Sequence, residues 1–117
     1  MGRSKKTPFP PWQSEANNGV ERNYPRLANT MLKSPAYRTL SDKAKVIHTD
    51  MLWIAGGKRE FVYPRSRYKD ICAPATFTRV RDELILHGFI EITEHNVTLR
   101  KPDVYIFSER WKCFRPP

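Results

Sequence analysis

Three side chains in the stretch "APATFTRVRDELILHGFIEIT", Ala73 to Thr93, are of types that read nucleic acid: Thr76, Thr78 and Arg79. An arginine held out from a helix can donate two parallel hydrogen bonds to O6 and N7 of a guanine, and a threonine can meet a thymine methyl or a phosphate. Helix phase decides whether they are held out. Phe77, Val80 and Leu84 repeat with the helical period and claim the core side. A rotation of about 100° per residue then turns Ala75, Arg79, Asp82 and Leu86 outward, with Thr76 and Thr78 on the flanks. Ala75 is small enough to let the start of the helix come close to a groove, where the positive end of its dipole favours phosphate. Asp82 could accept from a cytosine amino group, or orient Arg79 or Lys69. Arg81 falls near the core side, where a salt bridge with Glu83 or Asp70 competes with any outside contact. Leu86 is apolar on that outward side and so is open to a partner.

A second set of residues could grip a backbone. Residues 58 to 81 carry seven bases, Lys58, Arg59, Arg65, Arg67, Lys69, Arg79 and Arg81, against Glu60 and Asp70. Such clustering is the electrostatic footprint of a phosphate-binding surface, with solvation of a helix face by Arg65, Arg67 and Lys69 as the lesser reading. The loop from Glu94 to Asp103 adds His95, Asn96, Arg100 and Lys101. The whole chain agrees in sign: 21 lysines and arginines face 12 acids, a formal charge of +9 over 117 residues. An excess of this size favours a polyanionic partner, nucleic acid before an anionic membrane surface.

Other chemistry finds no footing. His48, His87 and His95 share no metal-ligand spacing with each other or with Cys72 and Cys113, so neither a metal nor any cofactor is expected. The two cysteines read as free thiols. There is no glycine-rich phosphate loop, no nucleophile with its base, and no carboxylate pair on one helix face, which speaks against an enzyme. No apolar run approaches the roughly 20 residues that span a bilayer, and the N-terminus lacks a signal-peptide core. A cytoplasmic protein without a membrane partner or a small-molecule substrate is the expectation.

These side chains need elements to hold them. Residues 1–25 are basic and proline-rich and read as a flexible tail, either inert or touching phosphate. "RLANTMLKSPAYRTL" supports one or two short helical turns, with Ser34 capping and Pro35 in the first position. "SDKAKVIHTDMLWIAGG" is a helix capped by Ser41 and stopped by Gly-Gly, with Ala44, Ile47, Met51, Ile54 and Ala55 on one face. Val46 and Trp53 fall on its opposite side, so it is expected to be sandwiched, covered by the segment around Leu27, Met31 and Tyr37. A short strand, Glu60 to Tyr63, is followed by a two-turn helix capped by Ser66 with Tyr68 and Ile71 buried. The next helix runs from Pro74 to His87 with Gly88 at its C-cap. "FIEIT" and "VYIF" alternate in period two and form a hairpin around the 94–103 loop. Trp111 and Phe114 are available to pack back on the core.

In this order, "SPAYRTLSDKAKVI", "ATFTRVRDELILHGFIEI" and "RKPDVYIFSERW" resemble the entry and first helix, the recognition helix with its strand, and the end of the wing in winged helix-turn-helix domains. The likeness is to domains of bacterial plasmid, phage and integrative-element proteins, including replication initiators and conjugation accessory proteins, and covers about three-quarters of the chain. It implies an α+β fold with a three-helix core, a small antiparallel sheet and a wing hairpin over residues 26–112, closed by a short tail, 113–117. It makes the 94–103 loop a wing that reaches a minor groove or flanking phosphates. One position departs from the pattern: Ala73 stands where such domains often carry a serine or threonine cap. The expected function is sequence-specific binding of double-stranded DNA in transcription control or at a replication or transfer origin. Two copies, as a dimer or in tandem, would engage the site, with Leu86, Trp111 and Phe114 as contacts between them. A winged helix that recruits a protein, or an RNA-binding module using the tail and Trp12, are the alternatives.

Overall fold

A serine and a glycine bound the central helix, and both do so through backbone chemistry. In the computed structural model, which describes residues 26–96 and 100–116, Ser41 is extended and its side chain accepts from the Ala44 N–H. Gly56 ends the helix in the left-handed conformation, at φ 59°. The helix between them is α3, Asp42–Ala55. Two single-turn helices precede it, α1 (Asn29–Leu32) and α2 (Pro35–Arg38). Ser34 caps α2 by accepting from Tyr37 N–H, with Pro35 in the first turn, where its missing N–H costs nothing. The proline-rich stretch 1–25, Trp12 included, lies outside the described residues.

β1 (Glu60–Val62) leads to the one-turn α4 (Arg65–Tyr68) and then to α5 (Pro74–Leu86). The N-cap of α4 is Pro64 and not Ser66. The turn begins soon after the strand's exit because the extended Pro64 already sets the helix entry. α5 opens on Pro74 with Ala73 as a cap that makes no side-chain hydrogen bond, and it ends at its C-cap, His87. Gly88, at φ 87°, reverses the chain into β2 (Ile90–Glu94). β3 (Val104–Phe107) pairs antiparallel with both β2 and β1, giving a three-stranded sheet in the order β1-β3-β2. A 3₁₀ turn, Arg110–Cys113, follows, and Phe114 stacks on His87 at 4.5 Å. Packing thus continues beyond residue 112.

The result is a mixed α+β domain whose core lies between α3, α5 and the sheet. Ala44, Ile47 and Met51 of α3, Val80 and Leu84 of α5, and Phe89, Ile90 and Tyr105 are all buried. Removing a side chain such as Leu84 from this interior would cost about 2–5 kcal/mol. A polar clasp fixes how α5 meets α3. The Glu83 carboxylate accepts from the Ser41 backbone N–H at 2.6 Å and from the Ser41 hydroxyl at 2.7 Å. The N-terminal end of α3 is therefore held by the C-terminal half of α5.

One expectation about α3 fails. Val46 and Trp53 are 51% and 45% exposed, so α3 is not sandwiched. The α1–α2 segment instead packs near His48: Met31 is buried, and Tyr37 meets the His48 ring edge-on at 6.5 Å. His48 lies two residues from Val46, so the segment passes on a different side of the helix. Among the described residues no helix is long and apolar enough to cross a membrane, and no group of His, Cys, Asp and Glu could hold a metal ion. Cys72 and Cys113 are free thiols.

Candidate nucleic-acid interface

Helix α5 presents the face that its phase requires. Phe77, Val80 and Leu84 are buried, whereas Ala75, Thr78, Arg79, Asp82 and Leu86 are exposed and Thr76 is half-buried. Phe77 is anchored by stacking on Tyr68 of α4 at 4.1 Å, with Tyr63 at 5.7 Å, so the first turns of α5 sit on an aromatic platform. Arg79 extends along the surface and donates to Thr76 Oγ1 at 3.3 Å. Thr78 donates to the Pro74 carbonyl at 3.2 Å, one turn back. No acidic residue occupies the first turn of α5, which leaves its positive end uncompensated.

Asp82 orients neither Arg79 nor Lys69. It is the partner of Arg81, whose Nη2 lies 3.1 Å from Asp82 Oδ1, in place of the Glu83 or Asp70 expected for that arginine. Glu83 is already committed to Ser41. Asp82 is thus a neutralising neighbour, although its position leaves it on the exposed face.

Arg67 is also spent internally. Its guanidinium reaches Asp50 of α3 at 3.1 Å and lies over the Trp53 ring at 4.9 Å. The same Asp50 accepts from the Tyr63 hydroxyl at 2.6 Å. Burial, with this carboxylate, pushes the Tyr63 hydroxyl far above its ordinary value. The carboxylate therefore ties α4 and the end of β1 to α3, and Arg67 acts as a brace. Arg65 and Lys69, on either side, remain exposed.

The β2–β3 loop is braced in a similar way. Asp103 takes the Asn96 backbone N–H at 2.6 Å and faces His95 Nδ1 at 2.8 Å. Asn96 is buried, and its side-chain amide donates to the Pro102 carbonyl at 3.0 Å. Asn96, expected among the residues that touch a ligand, instead closes the base of the loop, because its amide is turned inward to satisfy a carbonyl. His95 stays exposed, while its ring is held by Asp103. Arg100 and Lys101 are exposed. Arg100 has φ 56°, a left-handed backbone that a residue with a Cβ adopts at a cost of about 1–2 kcal/mol.

Between α4, α5 and this loop runs an open groove of about 790 Å³. Arg65 contributes from α4, Thr78 and Arg81 from α5, and His95, Arg100 and Lys101 from the loop. Tyr105 forms part of its wall, and burial pushes its hydroxyl up to about 12, so it is a neutral hydrogen-bonding group at ordinary pH. Residues from three separated stretches of sequence thus converge on one basic channel, whose lining includes Thr78 but not its neighbours Thr76 and Arg79, nor Lys69. Lys58 and Arg59 do not join it. β1 pairs with β3 so that Glu60 opposes Ile106 and Val62 opposes Val104. Lys58 and Arg59 precede Glu60, at the end of the sheet away from the loop, and Arg59 donates to the Phe107 carbonyl at 3.0 Å.

Three features escaped sequence reasoning: the Asp50 brace, the Asp103 clip, and the place of Tyr105 in the groove wall. The first links positions 17 residues apart and the third depends on strand pairing. A signal for the second did exist, since Asp103 directly precedes β3. Comparison with protein-family models, with curated proteins and with solved structures finds no match to this chain.

Proposed function

We propose that this chain is a sequence-specific double-stranded DNA-binding protein of a mobile genetic element, built as a winged helix-turn-helix and acting in transcription control or at a replication or transfer origin. In this reading α3, α4 and α5 are the three helices, α5 enters a major groove, and the β2–β3 loop is the wing. The observation that carries it is the basic groove between α5 and the loop, in which Arg65, Thr78, Arg100 and Lys101 face the same space. A sugar-phosphate strand passing there would place its phosphates against those cations, with Arg79 on the adjacent exposed face free to leave Thr76 for a base edge. The formal charge of +9 supports the same partner. The mobile-element setting is supported by the likeness of the three stretches quoted above.

An electrophoretic shift series in rising salt tests the reading. Affinity should fall linearly with salt on logarithmic axes, and replacing Arg100 and Lys101 together by alanine should reduce the slope by about two. A response to salt that is flat would remove DNA binding and favour recruitment of a protein. The exposed Val46 and Trp53 on α3 are the observation behind that second reading.

A further inference from the structure

On the opposite side of α3 from Val46 and Trp53 lies a pocket of about 320 Å³, formed by α1, α3, the end of β3 and the 3₁₀ turn. Its walls are aromatic and aliphatic: Phe89, Phe107, Trp111, Met31 and Leu52. Two of its polar side chains are buried: Ser108, 8% exposed, whose hydroxyl oxygen accepts from the Arg110 N–H at 3.1 Å, and His48, 2% exposed, with Phe89 at 5.1 Å and Phe107 at 6.2 Å between ring centroids. The Nδ1 of that ring is sealed from solvent and has no hydrogen-bond partner among the described residues. An orphaned N–H costs more in such a place than an orphaned lone pair, so the proton belongs on Nε2, at the far side of the ring. Burial lowers the imidazole to about 4, which keeps it neutral at ordinary pH.

We propose that this pocket binds a small planar aromatic molecule carrying one hydrogen-bond acceptor, with its ring against Phe89, Phe107 and Trp111 and its acceptor on the Nε2–H of His48. The volume is that of a one- or two-ring ligand, at the lower end of small-molecule sites. A largely apolar wall with one ring N–H fixed in direction selects for ring shape and for a correctly placed oxygen, whereas the Ser108 O–H can rotate. Net charge in the ligand is not called for, because the nearest rim cation, Lys112, is paired with Glu109 at 2.8 Å. The site lies apart from the basic groove, and the proposal does not rest on DNA binding.

Acetophenone and ethylbenzene, alike in shape but for the carbonyl, separate the two parts of the claim. Each is titrated into the full chain while the NMR signals of the His48 imidazole and the Trp111 indole are followed. Acetophenone should shift both signals to saturation with a dissociation constant on the order of 1 mM, several-fold tighter than ethylbenzene. H48L should make the two probes equal. L52W, which fills the pocket from a half-buried position one helical turn from His48, should abolish saturation for both, and it serves where H48L fails to fold. Shifts that remain linear up to the solubility limit, equal affinity of the two probes for the unaltered chain, or binding that survives L52W would each overturn the proposal.

Discussion

Replacing Gly88 by alanine should be among the most damaging single-methyl changes in this domain, and its size can be worked out from the surroundings. A Cβ at residue 88 would lie 2.5 Å from the Trp111 backbone nitrogen and 2.6 Å from the Arg110 carbonyl carbon. Both are main-chain atoms, so no side-chain rotation relieves the overlap. The 3₁₀ turn would have to move away, giving up the hydrogen bond from Trp111 N–H to the Gly88 carbonyl, now 3.1 Å, and the parallel packing of Trp111 on Phe89. The hydrogen bond contributes about 1 kcal/mol and the aromatic pair about the same. The left-handed φ of 87° adds about 1–2 kcal/mol for any residue with a Cβ. The loss should total about 3–4 kcal/mol, a large part of the roughly 5–15 kcal/mol by which a domain is stable. Urea denaturation should show a lower midpoint with an unchanged slope. Gly57 is the built-in control: it has φ 90° and no atom within 4 Å of the place a methyl would take, so G57A should cost the strain alone. If G88A costs no more than G57A, the packing of the 3₁₀ turn against the α5–β2 reversal is not what holds this end of the molecule.

R79A should lower affinity for a cognate DNA site by about 1–3 kcal/mol and relax specificity at one base pair, measured by competition with single-base site variants; equal loss on random DNA would assign Arg79 to phosphate. D103A should free His95 and the Asn96 backbone N–H, seen as faster amide hydrogen exchange at residues 95, 96, 100 and 101, while β1 and α3 keep their protection. His48 predicts an acid dependence of stability. Its folded value, about 4, lies below the unfolded 6.5, so the unfolded chain binds more protons between these limits. The contribution is complete above pH 6.5 and is lost as pH falls toward 4, by about 3 kcal/mol in total. H48L should remove that dependence from urea midpoints recorded across the window.

Boundaries set by local chemistry were legible in the chain. Ser41 and Gly56 frame α3 because capping and a left-handed stop involve only neighbours in sequence, and the two faces of α5 follow from its period alone. What the sequence could not show is how distant charges share partners. Arg67 looks like an exposed base until Asp50 is folded against it, and Arg81 chooses Asp82 because Glu83 has been claimed by Ser41 across 42 residues. Val46 and Trp53 misled for a related reason. An apolar side on a helix shows that cover would be favourable, but only the path of the chain decides whether cover arrives. The groove was legible in its ingredients and not in its membership, since pairing of β1 with β3 sends Lys58 and Arg59 to one end of the sheet while the loop sits at the other.

The backbone at Arg100 sets two qualities of the molecule against each other at one position. Glycine there would relax the left-handed loop and make the fold more comfortable, and it would also take a positive charge out of the channel. A search for more heat-resistant versions of this protein would therefore be drawn to residue 100 and would return variants that last longer and, where the channel holds DNA as proposed, grip less. Selecting such variants by survival alone would hide the trade, and scoring survival and binding together would expose it.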